Sequence, residues 1–291
     1  MKANYTTALI ILYLLFFSIT AQAAITCTTP TSTGFTTAFN AVTGVNASVV
    51  PNVTQGTITT TCTRTLATDA TTVYIRANNG ANATGVQNRT RLGATRISYE
   101  AFKDSACSAL WTSTVAGNYM PITLLPITTP QPISSNYWGC ITIAGQVAAA
   151  GNYTDTVQIR VRTNNGSGAW LSTVGNFPVS IITPATCTVT TPPGNISFTY
   201  TAFGAAVNAN TTFGAICTLN LPYTMSLDTY SSVLSGLNYS LNINSSTNAN
   251  SRGTGAAQTH TINGSMPAGQ AGTCVTGTCN ASQIHTLTIT Y

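Results

Sequence analysis

The stretch Gln283-Ile284-His285-Thr286-Leu287-Thr288-Ile289-Thr290-Tyr291 alternates at period two, with Leu287, Ile289 and Tyr291 on one face and threonines on the other. Successive strand side chains point to opposite faces, so this reads as a β-strand. No sequence follows it, and the expectation is a sheet edge left open beside Leu287, Ile289 and Tyr291, where a partner strand would dock.

The same alternation recurs upstream. Strands are predicted at residues 56–62, 72–76, 96–102, 141–143 and 156–161, and again at 196–200, 223–227, 237–241 and 259–262. Turn signals such as Asn78-Asn79-Gly80 separate them, and no window sustains a helical period. Many short strands between Gly, Asn and Pro turns predict an all-β protein of two tandem antiparallel β-sandwiches.

Residues 1–23 carry an apolar run over 8–17 and an Ala21-Gln22-Ala23 cleavage pattern, which reads as a secretory signal peptide. The run is shorter than the roughly 20 residues that span a bilayer. The remaining chain has the length of two domains, taken as 24–183 and 184–291.

All eight cysteines lie beyond the signal peptide, and an even number in an exported chain predicts disulfides. Cys27 and Cys62 stand 35 residues apart, Cys187 and Cys217 30 apart, each pair opening and closing a similar Thr-rich segment. This suggests a tandem repeat with Cys27–Cys62 and Cys187–Cys217 bridges, leaving Cys107–Cys140 and Cys274–Cys279. Four cysteines allow three connectivities per repeat, so other pairings stay open. Cys274 and Cys279 with His260 and His285 also suggest a metal site, but an oxidising compartment favours the bridge.

The repeats differ at their ends. After Val161 the first continues through residues 162–175 into Asn176-Phe177-Pro178-Val179-Ser180-Ile181-Ile182, a further strand, whereas the second stops at the position equivalent to Val161. The N-terminal sandwich is therefore expected to be complete and the C-terminal one to lack its last strand.

Several segments resemble the spore coat U-like family of archaic chaperone-usher pili. In the first repeat these are Ile97-Ser98-Tyr99-Glu100-Ala101-Phe102 with Asp104, Trp111, residues 141–147, and Gly151-Asn152-Tyr153-Thr154-Asp155-Thr156-Val157. In the second they are Leu237-Asn238-Tyr239-Ser240-Leu241 and residues 287–291, with Asn280-Ala281-Ser282-Gln283 departing from the Gly-x-Tyr pattern. The resemblance implies incomplete immunoglobulin-like folds, bound first by a periplasmic chaperone and then, at an outer-membrane usher, by the N-terminal strand of an adjacent pilin subunit. Only Ala24, Ile25 and Thr26 separate the signal peptide from Cys27, so the resemblance implies a subunit that accepts a strand and donates none, as at a pilus tip on the cell surface.

Two apolar loops are expected at the far end of the N-terminal sandwich. One carries Tyr119, Ile122, Leu124, Leu125 and Ile127 and runs on through Pro130, Pro132 and Ile133 to Trp138; the other carries Trp170, Leu171, Val174 and Phe177. Prolines at 121, 126, 130 and 132 argue against a central strand, although a core strand over 122–127 and a Trp170 that caps the sandwich remain alternatives. A third loop, residues 64–71, offers only Leu66. Exposed apolar side chains suit adhesion to abiotic or host surfaces, and the resemblance implies hydrophobic loops at archaic pilus tips. A structural pilus or coat subunit and a secreted glycan-binding module are the competing readings.

Five acidic residues and two histidines leave little material for catalysis, and no cofactor is implied. Glu100 and Asp104 are expected to be solvated rather than paired. The net charge of +5 is spread along the chain, with Arg89, Arg91 and Arg96 the nearest approach to a patch, so nucleic acid is not an expected partner.

Overall fold

The computed structural model describes residues 24–42, 52–111, 117–165, 168–244, 249–273 and 280–291. The predicted signal peptide and the Cys274–Cys279 pair lie outside them. All regular structure among the described residues is β, arranged in three sheets.

The N-terminal body opens with β1 (Ile25–Cys27), β2 (Thr31–Ser32), β3 (Phe35–Ala38) and the long β4 (Asn52–Arg64). There follow β5 (Thr72–Ala77), β6 (Asn88–Leu92), β7 (Thr95–Phe102), β8 (Met120–Thr123), β9 (Gln131–Ile141), β10 (Gly151–Arg162) and β11 (Gly175–Thr183). They form one folded-over sheet in the order β1-β4-β9-β7-β6-β10-β11-β3, with β2 on β4, β5 on β10 and β8 on β5. β7 joins the two layers, pairing with β6 along most of its length and with β9 from Glu100 to Phe102.

Between the layers Phe35, Tyr99, Trp111, Tyr137 and Phe177 pack with ring centroids 5.0 to 6.4 Å apart. This is the range of edge and offset ring contacts that add to area burial. The Trp111 indole N–H donates to the Ile75 carbonyl at 2.9 Å, so the largest core side chain is also satisfied.

The Gly-x-Tyr-x-Asp-x-Val run has a physical reason. On β10, Tyr153, Asp155 and Val157 face inward, and the buried Asp155 carboxylate accepts hydrogen bonds from Tyr99 O–H at 2.8 Å, Ala81 N–H at 2.9 Å and Asn82 N–H at 3.0 Å. Four donors, counting the Asn82 side-chain amide, compensate a buried charge. Burial, and then the neighbouring carboxylate, push the Tyr99 phenol well above its usual range. Gly80 turns at φ +80° beside the carboxylate, where any Cβ would collide with it.

The C-terminal body contains β12 (Cys187–Thr191), β13 (Val207–Cys217), β14 (Pro222–Leu227), β15 (Ser231–Leu234), β16 (Leu237–Ile243), β17 (Ala249–Arg252), β18 (Ala257–Met266) and β19 (Leu287–Thr290). Five strands run β12-β13-β18-β16-β15 and three run β17-β14-β19. Phe213, Tyr223, Met225, Ile243 and Ile262 fill the space between them. His260 ties the sheets together, its Nε2 2.9 Å from the Tyr223 hydroxyl and its Nδ1 3.0 Å from the Asn244 amide. Burial lowers its pKa.

Three of the four expected bridges are present: Cys27–Cys62, Cys107–Cys140 and Cys187–Cys217. Four strand expectations need correction. Residues 131–141 are strand β9 rather than a loop; Pro132 is tolerated because it sits near the start of β9, where only β4 flanks the strand. Of residues 141–143 only Ile141 belongs to a strand. Residues 196–200 alternate as expected yet join no sheet, and the final strand is the shorter Leu287–Thr290.

Candidate functional site

Two places depart from a closed sandwich. The first is the edge of β19. This strand pairs with β14 from Thr224↔Thr290 to Leu227↔Leu287, and among the described residues no strand pairs with its other edge. Leu287 and Ile289 are half-buried against the C-terminal core, while Tyr291 is 57% exposed. His285 anchors the strand: Nε2 lies 2.6 Å from Tyr239 O–H and Nδ1 2.9 Å from Asp228 Oδ1. That hydrogen bond holds the Asp228 carboxyl below its usual range.

Residues 196–200 contribute to the same core without a strand partner. Ile196, Phe198 and Tyr200 are half-buried at period two, and the Phe198 ring lies so close over β18 that a Cβ on Gly264 would strike it. Phe198 also packs on Tyr239, ring centroids 6.4 Å apart. Two segments therefore present half-covered apolar side chains to one core, each with unused backbone hydrogen-bonding groups.

The second place is the end of the N-terminal body away from Thr183. The buried Arg64 at the end of β4 donates to the Leu125 carbonyl at 2.7 Å, to that of Ala67 at 2.9 Å and to that of Asp69. Gln131 accepts from Leu125 N–H at 2.7 Å and donates to the carbonyls of Leu125 and Ile127 at 3.1 and 3.3 Å. Two polar side chains thus pin the loop backbones from below. Above them Leu125 is 62%, Leu66 44% and Ile127 40% exposed.

The expected surface residues divide. Leu125, Ile127 and Val174 are exposed. Tyr119 and Leu124 are buried instead: β8 pairs with β5, Leu124 N–H continues that pairing by donating to the Thr71 carbonyl at 2.6 Å, and Leu124 joins Ile25, Val73, Ile133 and Val161 in a satellite core. Ile122, on β8, is half-buried between the main core and this satellite. Leu171 packs half-buried against the satellite, its backbone bonded to Val161 and Cys27. Trp170 lies under guanidinium groups, those of Arg160 and Arg162 each 4.1 Å and that of Arg76 5.4 Å from its ring centroid. Arg64 and Gln131, which shape the loops, carry no local sequence signal; Leu66 is held in its own turn by Asp69, whose carboxylate accepts from Leu66 N–H at 2.8 Å.

Chemistry of other kinds finds little footing. Among the described residues no three His, Cys, Asp or Glu side chains gather to hold a metal. Asp104 accepts from the N–H groups of Ala106 and Ser108 in its own turn. Glu100 is not the solvated group expected: burial raises its pKa to about 7.

The Spore Coat Protein U domain family model matches residues 14–160, just over half of the chain. The chain belongs to the spore coat protein U family. Among solved structures, the chaperone–tip adhesion subunit pre-assembly complex CsuC–CsuE of archaic Csu pili from Acinetobacter baumannii aligns at 12% identity and TM-score 0.45, covering 92% of this chain and 100% of that one. The CupB6 tip adhesin of Pseudomonas aeruginosa aligns at 9% identity and TM-score 0.35, covering 91% and 94%. The CfaE adhesive subunit of the CFA/I fimbria of enterotoxigenic Escherichia coli aligns at 9% and 0.26, covering 74% and 86%. No curated protein matches the chain.

Proposed function

We propose that this spore coat protein U family member is a tip adhesin of an archaic chaperone-usher pilus, exported through the periplasm, with residues 24–183 as the adhesive domain and 184–291 as the domain that joins the fibre. The observation that carries this reading is the edge of β19, unpaired among the described residues, together with the half-covered residues 196–200 that pack on the same core. A strand from another chain would hydrogen-bond to such an edge while its alternate side chains complete the core. A periplasmic chaperone followed by the adjacent pilin, delivered at an outer-membrane usher, would supply that strand. Leu287, Ile289 and Tyr291 would line its docking site; the reading is supported by β11 of the N-terminal body, whose Phe177, Val179 and Ile181 are all buried as the donor's side chains would be.

At the other end Leu66, Leu125, Ile127 and Val174 would contact the target surface. Each is already about half buried, so three or four such side chains gain on the order of 3–5 kcal/mol on full burial before ordering costs, at roughly 0.7–1.5 kcal/mol each. Binding by one tip would be modest, and many pili per cell would add avidity. Low-specificity attachment to apolar surfaces, and biofilm growth from it, fits this arrangement. Trp170, its ring engaged by arginines, does not offer the free stacking face that a glycan module would use.

The test of the first part is strand addition. A peptide with the sequence of residues 175–183, added to the full chain or to residues 184–291, should bind and raise the melting temperature of the C-terminal body. A C-terminal body that melts cooperatively at the same temperature with and without peptide overturns the proposal. For the second part, Leu66→Ser, Leu125→Ser and Ile127→Ser together should abolish adhesion of piliated cells to plastic at unchanged pilus number; retained adhesion places the contact elsewhere.

A further inference from the structure

The outer face of the N-terminal sheet carries six of the chain's eight arginines. Arg76 on β5, Arg160 and Arg162 on β10, Arg89 and Arg91 on β6, and Arg96 on β7 all occupy the strand positions that alternate with buried residues. Register places Arg160 directly opposite Arg76, and Arg91 directly opposite Arg96. Like charges facing each other across strands destabilise a sheet, and here the arrangement occurs twice on one face.

No carboxylate offsets these pairs closely. Of the five acidic residues, Asp155 is turned inward, Asp69 is buried among the far loops, Asp104 closes its own turn, Asp228 is in the other body and Glu100, at the β9 end of β7, is the one acidic side chain on this face. The guanidiniums are held instead by neutral groups. Arg160 donates to the Ser172 carbonyl, Arg91 and Arg96 share the Gly93 carbonyl, and Trp170 lies under three of them. Neutral partners fix orientation without cancelling charge. The Nε of Arg76 and the Nε of Arg89 are buried and have no hydrogen-bond partner among the described residues.

The two clusters are joined by a polar lane. Arg91 lies opposite Thr154, six positions before Arg160 on β10, a separation of roughly 20 Å at strand rise. Between them Thr156 and Gln158 stand exposed on the same face. A small anion would fill one cluster; bridging both requires an extended polymer with repeated negative charges, and hydroxyl and amide side chains between the clusters match sugar hydroxyls. The Trp170 ring is engaged by guanidiniums rather than free for base stacking, and of the other rings only Tyr74, opposite Arg162, stands on this part of the face.

We propose that this sheet face is a second binding surface, for an extended acidic polysaccharide, separate from the apolar loops at the end of the same body. It goes beyond the adhesin reading and does not depend on it.

The probes are heparin, as a sulfated glycan, polygalacturonate, as a carboxylated one, and a DNA duplex of similar length, each titrated against the full-length mature chain at low and at physiological salt. At least one polysaccharide should bind with an affinity that falls steeply as salt rises, since screening weakens exposed charge contacts; which one binds separates sulfate from carboxylate. Arg76→Gln, Arg91→Gln, Arg96→Gln and Arg160→Gln together should weaken it by roughly tenfold or more, the direction expected when several ionic contacts are removed. The same four positions changed to Lys keep the charge, guard against loss of folding, and should stay within a few-fold. Adhesion to plastic should not change in either variant. Absence of polysaccharide binding, equal binding by the Gln variant with an unchanged melting curve, or tighter binding of the duplex than of both polysaccharides would each overturn the proposal.

Discussion

In the N-terminal body β11 lies between β10 and β3: it runs antiparallel to β10 from Gly151↔Thr183 to Ile159↔Gly175 and parallel to β3 from Val179↔Phe35 to Ile182↔Ala38. In the C-terminal body β19 pairs only with β14, and residues 196–200 join no sheet among the described residues. The two bodies begin alike. Cys27 faces Cys62 and Cys187 faces Cys217 in direct register, each with Cα atoms 4.1 Å apart, and a glycine follows seven residues after the first cysteine in both, Gly34 and Gly194. The bodies also differ in burial: Phe35 and Phe177 are enclosed, whereas Ile196, Phe198, Leu287 and Ile289 are only half so.

The largest effect comes from truncating one core position in each body, Phe177 on β11 and Ile289 on β19. Phe177→Ala should cost about 3–5 kcal/mol in the N-terminal body, the range for deleting a buried aromatic ring. Ile289→Ala should cost only about 1–2 kcal/mol in the free chain, because half of the side chain is already in water. With the strand peptide bound, the Ile289→Ala cost should rise toward the 2–5 kcal/mol of a fully buried aliphatic. Denaturant melts of both variants with and without peptide measure this, and a cost at Ile289 that ignores the peptide would break the comparison.

The disulfides should make the bodies look equivalent again. Replacing Cys27 and Cys62 by Ala, or Cys187 and Cys217 by Ala, should cost each body roughly 3–4 kcal/mol, since the bridges close loops of similar length, 35 and 30 residues. Calorimetry of the two double variants checks it; a much smaller loss in the second body would mean that its denatured state is already ordered near β12 and β13.

Much of this was legible in the chain, and the failures have a common cause. Period-two alternation located β5, β7, β10 and β14 because each has one buried face, and cysteine spacing located three bridges. Alternation reports burial rather than pairing, so residues 196–200 read as a strand although no neighbour completes their hydrogen bonds. Prolines mislead in the opposite direction: Pro132 marks a loop on sequence, yet it sits in β9 where the strand has a neighbour on only one side. At the candidate contact surface the apolar run 119–127 holds both buried and exposed residues: β8–β5 pairing buries the first part, and Arg64 and Gln131, reaching from other strands, hold the backbone of Leu125 and Ile127 at the surface. Arg64 also holds the carbonyls of Ala67 and Asp69 beside the exposed Leu66. The outer arginine face was half visible as Arg89, Arg91 and Arg96; the partners Arg76 and Arg160 are remote in sequence and meet only through β5–β10 register.

The smallest effect separates the bodies by the sign of their response to acid. Burial raises Glu100 to about 7, so between about 4.5 and 7 the folded N-terminal body holds a proton that the unfolded chain has released. Lowering the pH through that window should stabilise this body, with the gain complete near 4.5. In the C-terminal body burial lowers the pKa of His260, so below about 6.5 the unfolded chain takes up a proton that the folded state refuses. Acid should therefore destabilise this body over much of the same window. Asp104 and Asp228 are both held low and do not interfere until the pH falls into the usual carboxylate range, where the unfolded chain begins to take up their protons. Two-transition thermal scans between pH 7.5 and 5 should show the melting temperatures moving apart or together in opposite directions. Glu100→Gln should flatten the first trend and His260→Gln the second, each without touching the other. Parallel trends in the wild-type chain would mean that the two buried groups do not govern their own bodies.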